Sequence, residues 1–147
     1  MTEPLTVSDD KSRLDVGLIH RFLSEQSTWA LGIPRETVER SIAGSLCFGG
    51  YLDDGRQVAF ARVITDCATF AYLVDVFVLP EHRSRGYSLR MMDALMDHPS
   101  LQGLRRFLLA TSTAAPLYAR YGFTPPAKPE AFMERNFPDI YRNAKGS

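Results

Sequence analysis

Nine consecutive residues, Phe70-Ala-Tyr-Leu-Val-Asp-Val-Phe-Val78, are apolar at every position but one, and Pro80 forbids their continuation as a ladder-forming strand. The run is far short of the ~20 residues a membrane span needs, and its β-branched and aromatic side chains predict a strand over residues 70–78. Apolarity at almost every position, rather than alternation, predicts a central strand covered on both faces. Only Asp75 breaks the run. A lone acid in a buried strand needs a partner, so whatever packs on that strand must answer it.

The flanking segments supply elements for such a strand to pair with and pack against. Upstream, Leu14, Leu18, Ile19, Phe22 and Leu23 recur at three- and four-residue spacing and predict a helix. Pro34 suits a first helical turn; Val38, Ile42 and Leu46 then recur at four-residue spacing, with Glu36 placed to meet Arg40. Cys47–Leu52 and Val58–Ile64 read as two strands joined through the Asp53-Asp54-Gly55 turn. Downstream, Leu89, Met92 and Met96 mark an apolar face opposite Arg90, Asp93 and Asp97, predicting a helix from Ser88 to Met96 that His98-Pro99 stops. Phe107-Leu-Leu-Ala110 reads as a short buried strand and Ala114–Tyr121 as a short helix closed by Gly122. The proline-rich segment after Phe123 is expected to be irregular, with a short strand at Phe132-Met133.

No repeat, linker or low-complexity run divides the 147 residues, so one domain is expected. Seventeen basic and seventeen acidic side chains cancel, which argues against a nucleic-acid or anionic-membrane binder that works by bulk charge. The opening Met1-Thr2-Glu3-Pro4 lacks a signal-peptide pattern, and a soluble, cytoplasmic protein is the expectation. Cys47 and Cys67 are too few for a disulfide framework, and no Cys/His cluster has metal-ligand spacing, so no metal is expected.

The chemistry is most legible where the strand turns into a helix, through Pro80-Glu-His-Arg-Ser-Arg-Gly-Tyr-Ser88. A helix start presents unpaired N–H groups and partial positive charge, a ready place for a phosphate. Arg83 and Arg85 add full charges, Gly86 lets the backbone approach an oxygen, and Ser88 is small enough to cap the helix or donate a hydrogen bond. Basic residues decorating an exposed turn would look the same on composition alone.

The spacing Arg83-x-x-Gly86-x-Ser88, after a Val76-x-Val78-x-Pro80 strand end and before Leu89 and Met92, resembles the acetyl-CoA motif of the GNAT N-acetyltransferases. The family pattern is Arg/Gln-x-x-Gly-x-Gly/Ala, so Ser88 stands where glycine or alanine is usual. Further on, Pro116-Leu-Tyr-Ala-Arg-Tyr-Gly-Phe123 resembles the Ala-x-x-Leu-Tyr-x-x-x-Gly-Phe region of the same family. The resemblance runs from about Cys47 to Pro125, and the two early helices fit the family's usual preamble.

The resemblance implies an α/β fold over residues 1–147, with a mixed, mostly antiparallel sheet splayed at its middle strands and helices on both faces. It implies an enzyme that uses acetyl-CoA and transfers the acetyl group directly to a primary amine, on a small molecule or a peptide, with homodimerisation left open. The backbone of Arg83, Ser84, Arg85, Gly86, Tyr87 and Ser88 would hold the CoA pyrophosphate. The main chain of Val76, Phe77 and Val78 would pair with the pantetheine arm, and the hydroxyls of Thr111 and Thr113 stand where the family usually places an asparagine. Tyr118 occupies the position of the tyrosine that protonates the departing thiolate in many relatives; its other reading is packing on a helix face.

Where relatives often carry a glutamate base, this chain has Val74, with Asp75 beside it. Neighbouring strand residues face opposite ways unless a bulge intervenes, so Asp75 is a base, a substrate contact or a hydrogen-bonded core carboxylate. The acceptor site falls to the early helices and the tail, which offer His20, Gln26, Ser27, Trp29, Tyr72, Glu130 and Phe132. Of these, His20 reads as a packed residue or a base, and Trp29 as a core anchor or an aromatic wall for an amine. No cysteine is placed to carry an acyl group. Two alternatives stay open: a non-catalytic acyl-CoA-binding domain, and a homodimeric interaction module without CoA.

Overall fold

The computed structural model describes residues 3–145. Five strands form one sheet in chain order: β1 (Thr6–Ser8), β2 (Leu46–Tyr51), β3 (Gln57–Thr65), β4 (Phe70–Val78) and β5 (Arg106–Leu109). All neighbours are antiparallel except β4 and β5, which run parallel and are joined by a crossover. The helices are α1 (Val16–Glu25), α2 (Arg35–Ala43), α3 (Tyr87–Met96), α4 (Ala115–Ala119) and α5 (Ile140–Lys145). The architecture is the expected mixed, mostly antiparallel sheet with helices on both faces.

Each face of the sheet carries its own apolar cluster. On one, Ile19, Phe22 and Leu23 of α1 and Val38 and Ile42 of α2 pack on Cys47, Phe60 and Phe77, with the rings of Phe22 and Phe77 stacked at 4.0 Å. On the other, Met91, Met92 and Leu95 of α3 and Tyr118 of α4 pack on Phe48, Ala59, Ala61, Val63, Ala71 and Leu73. Asp15 caps α1, its carboxylate accepting from the Leu18 N–H at 3.0 Å.

Several details depart from what the spacing predicts. Helix α2 ends at Ala43, so Leu46 opens β2 instead of closing a third turn. The ion pair along α2 joins Arg35 to Glu39 at 3.3 Å, not Glu36 to Arg40. Strand β1 escapes periodicity because three residues are too few to show alternation. The tail has no strand at Phe132-Met133: Pro129–Ala131 make a single 3-10 turn, and Met133 is 97% exposed.

The most consequential departure concerns β4, which alternates between buried and half-open positions along its length. Ala71 and Leu73 face the α3 and α4 cluster, while Phe70, Tyr72 and Val74 lie on the face of α1 and α2, beyond the reach of either helix. A strand apolar on both faces thus has one face only partly covered.

Candidate active site

Strands β4 and β5 pair over four rows, from Phe70 opposite Arg106 to Leu73 opposite Leu109, and then part. From Val74 to Val78, β4 keeps β3 on one side and has no strand on the other. Leu79 returns to β3 through its N–H to the Val58 carbonyl at 2.9 Å. The parting opens a cleft of about 680 Å³ lined by β4, the segment after β5, Tyr118, and the loop carrying Thr28 and Trp29. Main-chain groups left open along such a strand need partners, and an extended ligand with amides supplies them.

A bulge shapes this part of β4. Phe60 pairs with Phe77 and Arg62 with Val74, so three steps along β4 answer two along β3. Asp75 takes a positive φ of 55°, a left-handed conformation that a non-glycine residue adopts at a cost of roughly 1–2 kcal/mol. The extra residue puts Asp75 on the same face as Val74 and Phe77. There the carboxylate is 8% exposed and engaged at both oxygens: Oδ1 accepts from the Trp29 indole Nε1–H at 2.7 Å, and Oδ2 from Arg62 Nε at 2.9 Å. The Arg62 guanidinium also donates to Ser45 Oγ at 3.0 Å. Of the readings open for Asp75, the geometry displays a paired, hydrogen-bonded carboxylate at the cleft wall.

The turn after β4 is held in shape by its own arginines. Arg83 Nε donates to the Val78 carbonyl at 2.9 Å, and Arg85 Nη1 donates to His82 Nδ1 at 3.1 Å. Ser84 and Gly86 both have positive φ, 64° and 79°. Gly86 rather than Ser88 is the N-cap of α3, and no side chain caps that end, so Ser88 lies inside the first turn and does not cap. A Cβ on Gly86 would meet nothing within 4 Å. The turn is therefore an uncapped helix start with open space in front of its glycine, and it fits a diphosphate.

Tyr118 projects from α4 into both the core and the cleft. Burial pushes its hydroxyl above the ordinary tyrosine range. Its hydroxyl makes no hydrogen bond within the described residues, whereas that of Tyr121 is held by the Leu89 carbonyl and Asp93 and that of Tyr87 by the Glu3 carbonyl. Thr111 and Thr113 line the cleft, and Thr111 Oγ1 accepts from the Ala114 N–H at 3.0 Å.

The structure brings Tyr72, Trp29, Asp75, Val76, Thr111, Thr113 and Tyr118 to one cleft and leaves other candidates outside it. His20 turns its Nε2 to the Ile33 carbonyl at 3.0 Å, tying α1 to the loop before α2. Ser27 is buried and donates to the Leu23 carbonyl at 2.6 Å. Phe132 lies under the guanidinium of Arg106, 4.9 Å from its ring centre, against the tail. The residue that sequence reasoning missed is Arg62. Its signal was present: one cation alone in an apolar strand, beside a strand holding one acid alone. Cys47 is no nucleophile, since burial raises its thiol to about 11. Among the described residues no cluster could hold a metal, and no helix is long and apolar enough to cross a membrane.

An α/β domain whose parallel strand pair opens beside an uncapped helix start offers an extended ligand with a diphosphate a place to lie, and comparison with known proteins gives the family. The family model described as the acetyltransferase (GNAT) domain matches residues 44–125. A solved structure from Xanthomonas campestris pv. campestris, assigned to the same family as a provisional acetyltransferase, is 64% identical, covers 96% of this chain and 99% of its own, and has a TM-score of 0.93. A protein of Gibberella zeae, provisionally named an acetyltransferase, is 33% identical over 135 residues, 78% of this chain and 75% of its own. N-acetylglutamate synthase of Neisseria gonorrhoeae, solved with coenzyme A and N-acetyl-glutamate, shares the fold at 17% identity and a TM-score of 0.65; 99% of this chain is covered by 33% of that one. The chain belongs to the GNAT family of acetyltransferases.

Proposed function

We propose that the protein transfers the acetyl group of acetyl-CoA directly to a primary amine. The observation that carries this reading is the parting of β4 from β5 beside Tyr118, a buried side chain whose hydroxyl has no hydrogen-bond partner among the described residues. Acetyl-CoA supplies the thioester carbonyl carbon that the amine attacks as the C–S bond breaks. The turn from Arg83 to Ser88 would bind its diphosphate through main-chain N–H groups, with Arg83 and Arg85 fixing the turn and supplying positive field. The open main chain of Val76, Phe77 and Val78 would take the pantetheine amides, and Thr111 and Thr113 offer hydroxyls across the cleft.

Two protons must move. Tyr118, held protonated by burial, donates one to the departing sulfur. The amine gives up the other. Asp75 is buried and holds Trp29 and Arg62, one at each oxygen, so we assign the amine's proton to water in the open cleft and Asp75 to positioning. With Cys47 raised by burial and Cys67 in an exposed turn, no acyl-enzyme is formed.

Calorimetric titration of acetyl-CoA, followed by thiol release on adding amines, tests this reading. Wild-type protein is expected to bind at micromolar concentration. Gly86→Asp, which sets an anion against the diphosphate in a left-handed backbone, should weaken binding about 100-fold. Unchanged affinity in the variant would remove the turn from the site. Binding without thiol release for any amine would make this a binding domain rather than an enzyme.

A further inference from the structure

Resting on the transferase reading, the geometry points to the class of acceptor: a monoamine on an apolar, aromatic body. Three observations on the acceptor side of the cleft converge on it. Trp29 is 50% exposed yet fixed, since its indole N–H is tied to Asp75 at 2.7 Å. An exposed tryptophan held by a buried carboxylate is a preformed flat wall, whose ordering need not be repeated on binding.

The wall continues outward along the sheet. Tyr72 lines the cleft and pairs with Ile64 across the β3–β4 ladder, and Phe70 lies two residues along on the same face. Ile64 and Phe70 are 43% and 38% exposed. These three side chains form an apolar strip on the part of the sheet that α1 and α2 leave uncovered, and the strip starts at the cleft.

The charges exclude the other classes of amine. Asp75 is the one acid lining the cleft, and Arg62 matches its charge at 2.9 Å. Arg106 stands opposite Phe70 in the β4–β5 register, but its guanidinium is turned to the Phe132 ring. A polyamine would meet no unmatched acid among the described residues of the cleft. An aromatic monoamine would present its amine at the parting of β4 and β5 and lay its ring against Trp29 and Tyr72.

Thiol release from acetyl-CoA with 2-phenylethylamine, spermidine and lysine as acceptors tests the assignment, with Phe70→Ser and Trp29→Phe alongside wild type. The aromatic amine should give a kcat/KM at least about tenfold above the other two, and each variant should raise its KM several-fold with kcat nearly held, the signature of lost uniform binding. Equal or better turnover of spermidine or lysine would overturn the assignment while leaving the transferase reading intact. So would a KM that neither variant moves. A concentration-dependent dimer in sedimentation that Phe70→Ser dissolves would give the strip to a second copy of the chain and overturn it too. Silence from every amine with acetyl-CoA bound would bring down the transferase reading, and this class with it.

Discussion

The two sides of the cleft are built from different material. On the side proposed for the diphosphate and pantetheine the groups on offer are main-chain N–H and C=O, exposed because a strand loses its neighbour and a helix starts without a side-chain cap. On the opposite side the groups are side chains, Trp29 and Tyr72, and the placement of Trp29 depends on the network of Asp75, Arg62 and Ser45. Main chain tolerates substitution and constrains conformation, whereas a side-chain wall does the reverse. Damage to the first side should therefore follow backbone geometry, and damage to the second should follow loss of a partner.

The largest effect should come from the side-chain side. Asp75→Ala leaves the half-buried Arg62 without its counter-charge and is expected to lower unfolding free energy by about 3 kcal/mol, read by urea denaturation. The double variant Arg62→Met with Asp75→Leu should recover most of that stability while still raising the acceptor KM, because Trp29 has lost its anchor. If the double variant restored the KM as well, Trp29 would not need its tie.

Next comes Tyr118, the proposed proton donor between the two sides. Tyr118→Phe should lower kcat about 100-fold with acetyl-CoA affinity nearly unchanged, measured by steady-state kinetics and calorimetry. The sign of the pH dependence follows from burial. The protonated hydroxyl is the proposed active form, and burial raises its pKa from the ordinary tyrosine range, so wild-type kcat should keep its donor through neutral pH and lose it only on the alkaline side of that range. A basic limb in kcat that survives in Tyr118→Phe would belong to another group.

On the main-chain side, Gly86→Ala sharpens the comparison. Its Cβ would meet nothing within 4 Å, so the penalty is the positive φ of 79° alone, about 1 kcal/mol in thermal or urea unfolding. Acetyl-CoA should still bind within a few-fold of wild type, in contrast to Gly86→Asp. The smallest effect is chemical: iodoacetamide should label exposed Cys67 and spare Cys47, whose thiol burial raises to about 11, with no loss of thiol-release activity.

This division also explains what could be read in advance. The turn at Gly86 was legible because a glycine among Arg83, Arg85 and Ser88 at a helix start lets the backbone approach an oxygen, and that spacing shows in a single sequence. Strand β4 was legible to its end residues because Pro80 stops it. The partial covering of β4 was not, since apolarity records that a side chain avoids water and not whether protein or ligand covers it. Nor was the partnership of Asp75 with Trp29, 46 positions away in the chain, because ladder registers and bulges are set by packing between strands. The tail misled for a related reason. Phe132 and Met133 have strand-forming composition, but Pro125, Pro126 and Pro129 precede them, and β5 keeps its outer edge unpaired by the described residues.

The bulge has a consequence in the language of insertions and deletions. A regular strand has one parity: residues an even number apart share a face. Strand β4 changes parity at Asp75, so Tyr72 and Phe77 share a face although five positions separate them. Losing the Asp75 codon would leave the reading frame intact and produce a straighter, better-paired strand. It would also take away the carboxylate that answers Arg62 and the kink over which the sheet opens. For this stretch of the gene, the tidier strand is the defective allele.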